Sequence, residues 1–139
     1  MTFTIRAFRP SDTEPVVALW EQAGLTRPWN DPRKDIERKL AVQPELFLVA
    51  VDGDELVGSV MAGYDGHRGW LYYLASARSG EGIGRALVAE AERLLQAVGC
   101  PKVQLMVRPE NTAARGFYDA LGYESFDTWA SGKRLIADA

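Results

Sequence analysis

The sequence predicts a mixed α/β domain: one mixed central β-sheet of about seven strands, with helices on both faces. Three observations carry that prediction. The periodic segments run strand, two helices, three strands joined by tight turns, helix, strand, helix and two closing strands, an order that needs helix and sheet layers packed on one another. Leu46-Phe47-Leu48-Val49-Ala50-Val51 is apolar at every position, as a strand covered on both faces must be. Ser79-Gly80-Glu81-Gly82-Ile83-Gly84 leads at once into a helical run from Arg85 to Val98, a glycine-rich link from strand to helix. The 139 residues, 47% hydrophobic and 25% charged, read as one domain spanning 1–139, long enough to bury roughly two thirds of the unfolded surface.

Each element has a local reason. Thr2 to Phe8 alternates polar and apolar residues, the period of a half-buried strand. Ser11 or Asp12 caps a helix that carries Pro15 in its first turn and stops at Gly24. Its Val16, Leu19, Trp20 and Ala23 share one apolar face. A second helix opens at Asp31-Pro32, turns Ile36 and Leu40 inward and runs to about Val42. Asp52-Gly53-Asp54 is a hairpin signal between the apolar strand and its return, Glu55 to Tyr64. The turn Asp65-Gly66-His67-Arg68-Gly69 leads to a fourth strand, Trp70 to Ala75. The helix after the glycines puts Leu87, Ala91, Leu94, Leu95 and Val98 on one side and ends at Gly99. Lys102 to Val107 is the fifth strand, and Asn111 or Thr112 caps a helix that runs through Ala120 to Gly122. Tyr123 to Trp129 and Lys133 to Ile136 are expected to close the sheet as two more strands.

Composition narrows the function classes. A net charge of −3 argues against a nucleic-acid binder, which presents a basic face. No apolar run approaches the length of a membrane span, and Arg6, Arg9, Asp12 and Glu14 near the start exclude a signal peptide. One cysteine, Cys100, permits no internal disulfide and suits a reducing cytoplasm. With one histidine beside it, a zinc site of the usual ligand types is not expected, nor any other metal.

The glycine stretch carries the chemistry. Glycines tolerate backbone angles that other residues resist and let a ligand approach the main chain, and a helix start offers unpaired N–H groups and a positive dipole end. Such a site suits phosphate. A dinucleotide fingerprint needs glycines at 80, 82 and 85, but position 85 is Arg, and no Gly-Lys-Ser/Thr exists anywhere for a nucleoside triphosphate loop. The stretch resembles instead the pyrophosphate loop of the GNAT acetyltransferases, Gln/Arg-x-x-Gly-x-Gly/Ala, with Gly82 and Gly84 at its two small positions. Ser79 stands at the Gln/Arg position with Arg78 one residue early, and Ala75-Ser76-Ala77-Arg78 is shorter than the family usually has. A second segment strengthens the likeness: Asn111 to Tyr123 is similar to Asn-x-x-Ala-x-x-Phe/Leu-Tyr-x-x-x-Gly-Phe/Tyr, with each fixed position filled.

The resemblance covers essentially the whole chain and implies a GNAT-type sheet whose fourth and fifth strands splay around acetyl-CoA. Leu74, Ala75 and Ser76 would offer backbone groups to the pantetheine arm. Ser79, Gly80, Glu81, Gly82, Ile83, Gly84 and Arg85 would hold the pyrophosphate, and Asn111 and Ala114 would line the exit beside the thioester. Arg78, Arg85, Lys102 and Arg115 are cations that could meet the remaining phosphate. Tyr118 is the implied catalytic residue, also cofactor-contacting, since a phenol can protonate a departing thiolate. The fifth strand offers Gln104 and Met106 but no carboxylate base, leaving Tyr64, Asp65, His67, Tyr72, Glu110 or a water chain. Trp29, Asp31, Tyr64, Asp65 and Tyr72 are the expected contacts of the acceptor, an amine, although Trp29 and Trp70 would serve equally as aromatics closing the core. The implied activity is acetyl-CoA-dependent N-acetylation of a small metabolite or of a peptide N-terminus or lysine; the alternative is an acyl-CoA-binding sensor or regulatory module on the same fold. Neither nucleic acid nor membrane is an expected partner, and the protein would act in the cytoplasm as a monomer or homodimer.

Overall fold

The structure, a computed structural model, describes residues 2–138. Five strands form one sheet in chain order: β1 (Thr4–Ala7), β2 (Phe47–Asp52), β3 (Glu55–Tyr64), β4 (Gly69–Ser76) and β5 (Val103–Gln104). Neighbours are antiparallel except β4 and β5, which run parallel. Four helices accompany them: α1 (Thr13–Gln22), α2 (Pro32–Leu40), α3 (Ile83–Ala97) and α4 (Thr112–Ala120).

The all-apolar β2 explains the layering. Phe47 and Val49 pack with Phe8, Val16, Trp20 and Ile36 on the α1–α2 face, while Leu48 and Ala50 pack with Leu87, Ala91 and Leu95 on the α3 face. Alternate side chains of one strand thus enter two separate cores, which is why no polar residue interrupts it. The hairpin turn after β2 uses Gly53 at φ +61°, as expected of its Asp-Gly signal.

The expectation of about seven strands is corrected to five among the described residues. Residues 123–129 and 133–136 form no strand. The fifth strand, expected over 102–107, is paired only at Val103 and Gln104. A strand needs a ladder partner as well as apolar residues, and β5 leaves β4 too soon to extend the sheet. Tail residues Phe126, Trp129, Leu135 and Ile136 are accordingly exposed.

β4 carries a bulge. Ser59 faces Ala75 and Met61 faces Tyr72, so Tyr73 and Leu74 together oppose Val60. Tyr73 adopts φ +54°, a left-handed conformation rare outside glycine. The extra residue shifts the alternation, and Tyr72 and Tyr73 both serve the α1–α2 face.

Candidate functional site

A wedge opens between β4 and β5. They pair at Gly69–Val103 and Trp70–Gln104 and then part, so the β4 edge from Leu71 to Ser76 has no strand partner on that side. Leu74, Ala75 and Ser76 lie along it.

At the end of that edge stands the glycine loop. Gly80 and Gly82 both take φ +77°, and Gly82 is the residue that opens α3. The first amide from this region to find a helical acceptor is Ala86, bonded to Gly82 O at 3.0 Å. Among the described residues, the main-chain N–H groups of Ser79, Gly80, Glu81, Gly82, Ile83, Gly84 and Arg85 donate to no protein group. Alternating left- and right-handed residues curl such amides into an anion-binding concavity, reinforced by the α3 dipole. Gly84 serves packing: a Cβ there would lie 3.3 Å from Phe117 Cζ. The two motif segments therefore meet, α4 lying against the start of α3.

The four cations near the loop separate clearly. Arg78 turns back to the β2–β3 hairpin, pairing with Asp52 at 2.7 Å and Glu55 at 2.6 Å, and its guanidinium is held above its usual range by them. Lys102 sits 4.3 Å over the Phe126 ring, and Arg115 donates to Pro109 O at 3.4 Å. Arg85 alone of the four makes no side-chain hydrogen bond, ion pair or cation–π contact among the described residues.

Tyr118 is buried, edge-on to Phe117 and Tyr123 with ring centroids 5.1 and 5.4 Å away. Burial pushes its phenol up to about 12, so it stays protonated at neutral pH. Its hydroxyl makes no hydrogen bond among the described residues. Asn111 caps α4, its Oδ1 accepting from Ala114 N at 3.1 Å, which ties two predicted site residues to each other.

On the α1–α2 face a cavity of about 390 Å³ is floored by Met61, Tyr72 and Tyr73 and walled by Asp35, Arg38 and Lys39 of α2. Tyr73 stacks on Trp20, ring centroids 3.7 Å apart, and donates its hydroxyl to Asp35 at 2.7 Å. Burial first, then Asp35, raises the Tyr73 phenol far above its ordinary value. Asn30 Nδ2 also donates to Asp35. A second, shallower cavity of about 640 Å³ shares Arg38 and lies between Trp29 and residues 132–136 of the tail.

The expected acceptor residues divide accordingly. Tyr72 lines the first cavity and Trp29, 62% exposed, lines the second. Asp31 caps α2, accepting from Arg33 N at 2.9 Å. Tyr64 packs on the α3 face, away from both cavities. Asp65 closes its own turn by accepting from Arg68 N and His67 N, which hold its carboxyl below the usual range. Asp35, Lys39 and Tyr73 were not among the expected side chains. Asp35 and Lys39 stand four residues apart beside Ile36 on α2, a spacing that puts charges on the buried side, but nothing in the sequence says what that side meets.

The sequence profile of the acetyltransferase (GNAT) family matches residues 14–123. An acetyltransferase of Pectobacterium atrosepticum is 55% identical over 136 residues, covering 96% of each chain. Ard1 from Thermoplasma volcanium superposes with a TM-score of 0.77 at 27% identity, over 88% of this chain and 82% of that one. The aminoglycoside N-acetyltransferase AAC(6')-Iy, solved in complex with CoA, superposes with a TM-score of 0.78 at 20% identity, over 96% and 95% of the two chains.

Proposed function

This chain belongs to the acetyltransferase (GNAT) family, and from that premise we propose that it transfers an acetyl group from acetyl-CoA to a primary amine by direct attack on the thioester. The observation that carries the reading is the run of unpaired amides from Ser79 to Arg85 at the end of an unpartnered β4 edge. The residues present fit the donor: backbone amides for a diphosphate, a free Arg85 for a further phosphate, and open strand groups at 74–76 for the amides of a pantetheine arm. The CoA complex of AAC(6')-Iy supports the same choice.

Acetyl-CoA supplies the activated acyl carbon, which gains a C–N bond to the amine as the C–S bond breaks. The chain then manages position and protons. Tyr118, protonated because burial lifts its phenol to about 12, donates a hydrogen bond from Oη that stabilises the departing thiolate; the proton stays on oxygen because the thiol pKa is near 8.5. β5 and the residues just after it carry Gln104 and Met106 near the fork and no carboxylate. The proton shed by the amine therefore passes to water in the open wedge, and the thiolate takes up a proton from the same source. Tyr72 and Tyr73, thrown onto one face by the bulge, form the floor across which the amine approaches.

The test is calorimetric titration with CoA followed by thiol release from acetyl-CoA over a panel of amines. Saturable CoA binding and amine-dependent thiol release are expected. Binding without turnover on every amine would leave an acyl-CoA-binding module in place of an enzyme, and absence of CoA binding would sink both.

A further inference from the structure

Among the described residues, the cavity under α2 holds one charge that no carboxylate answers. Lys39 is 9% exposed, yet no carboxylate lies within ion-pair distance of it among the described residues. Burial lowers its ammonium pKa, and only the exposed Glu45 acts from a distance in the other direction. Its Nζ lies beside Gly63, 3.6 Å from where a Cβ would stand, with Gln43 Oε1 3.7 Å from the same point. Gln43 is close by, but both ends of its amide are used on Tyr64, accepting from N and donating to O at 2.9 Å each. A largely covered ammonium without a carboxylate partner is stabilised when a counter-charge arrives.

The other charges around the cavity are already matched. Asp35 receives Tyr73 Oη and Asn30 and lies 3.4 Å from Arg38. Arg38 is paired at 2.6 Å with Asp138, which also accepts from Asp31 N at 2.7 Å and lies 3.5 Å from Arg134. A cavity built for a di- or polycation would present free carboxylates; here, among the described residues, the unpaired charge is positive.

We propose that this cavity takes an amine that also carries a carboxylate, with the carboxylate held by Lys39 and the amine directed along β4 to Tyr72 and Tyr73. This inference rests on the acetyl-transfer reading and names the acceptor class for it. The spacing sets the acceptor's length. Gly63 pairs with Trp70, and Tyr72 and Tyr73 lie two and three residues further along β4, roughly 7–10 Å at about 3.3 Å per residue. An α-amino acid presenting its α-amine is too short, whereas a chain with several methylenes between carboxylate and amine spans the distance.

Steady-state acetylation of 5-aminopentanoate, its carboxamide and 1,5-diaminopentane tests the assignment. The wild-type protein should prefer the carboxylate over the other two by at least about tenfold in kcat/KM, the worth of one desolvated charge pair. Lys39→Met should erase the preference by raising KM for 5-aminopentanoate with kcat nearly unchanged, and should leave the carboxamide unaffected. Because that variant removes a desolvated charge, its unfolding midpoint should equal or exceed that of the wild type, separating lost recognition from lost folding. Equal use of the carboxamide or the diamine, or a preference that survives Lys39→Met, would overturn the inference while leaving acetyl transfer standing. Absence of CoA binding would instead remove the reading beneath it.

Discussion

Tyr118 illustrates how position and environment divide the work. The motif places it one turn before Gly122, but only packing against Phe117 and Tyr123 raises its phenol to about 12. A phenol held there remains a hydrogen-bond donor to the thiolate across the neutral range. Tyr118→Phe should therefore lower kcat by about 10²-fold, with CoA affinity unchanged by calorimetry and the deficit constant between pH 6 and 9. A deficit that disappears at either end of that range would mean another group stabilises the thiolate. Other side chains were legible only as types. Asp31, Asp65 and Asn111 are polar residues at turns, and a sequence cannot say that their oxygens are already accepting from Arg33, Arg68 and Ala114 amides. Arg78 likewise sits one residue from the loop but pairs with Asp52 and Glu55 across a hairpin.

Elements were legible where periodicity and caps agreed. The four helices and strands β1 to β4 lie where apolar spacing and Gly or Asp signals put them, because local rules suffice when every neighbour is antiparallel or one turn away. The bulge in β4 was not legible: no glycine marks it, and Tyr73 holds φ +54° because its ring is clamped on Trp20 and its hydroxyl on Asp35. Close approach of elements gives a sharper check. A Cβ at Gly58 of β3 would stand 2.6 Å from Ile83 Cγ2, 3.0 Å from Leu87 Cδ1 and 3.2 Å from the Ala75 carbonyl. Gly58→Ala must push α3, and with it the amide loop, away from the sheet. Denaturant unfolding should show a loss of about 1–3 kcal/mol, accompanied by weaker CoA binding; an unperturbed midpoint would mean that α3 moves freely.

At the scale of the whole molecule, the C-terminal tail returns to α2. Asp138 accepts from the Asp31 amide and pairs with Arg38, while Lys34 Nζ donates to Asp138 O at 2.6 Å. Arg134 adds a bond to Asn30 Oδ1 at 2.7 Å. This clasp brings residues 132–136 beside Trp29 and so builds the outer cavity. Arg38 above all, then the Asp31 amide, lowers the Asp138 carboxyl to about 2. Its folded-state pKa is depressed, so its contribution is full above the unfolded value near 4 and is lost as pH falls through about 2. The ¹H–¹⁵N resonance of the Asp31 amide should titrate near pH 2 in the wild type and stay flat in Asp138→Asn. A midpoint near 4 would mean that the tail is not docked.

The sequence by itself determined the layered α/β fold, the glycine turn into α3 and the Asn-to-Tyr segment of α4, because each rests on spacing along a few residues of one chain. Tertiary structure alone decided that the sheet stops at five strands, that Tyr72 and Tyr73 share a face, and that Lys39 faces a cavity without a counter-charge. Those outcomes depend on which distant groups come within bonding distance, and a partner a hundred residues away leaves no mark on local pattern.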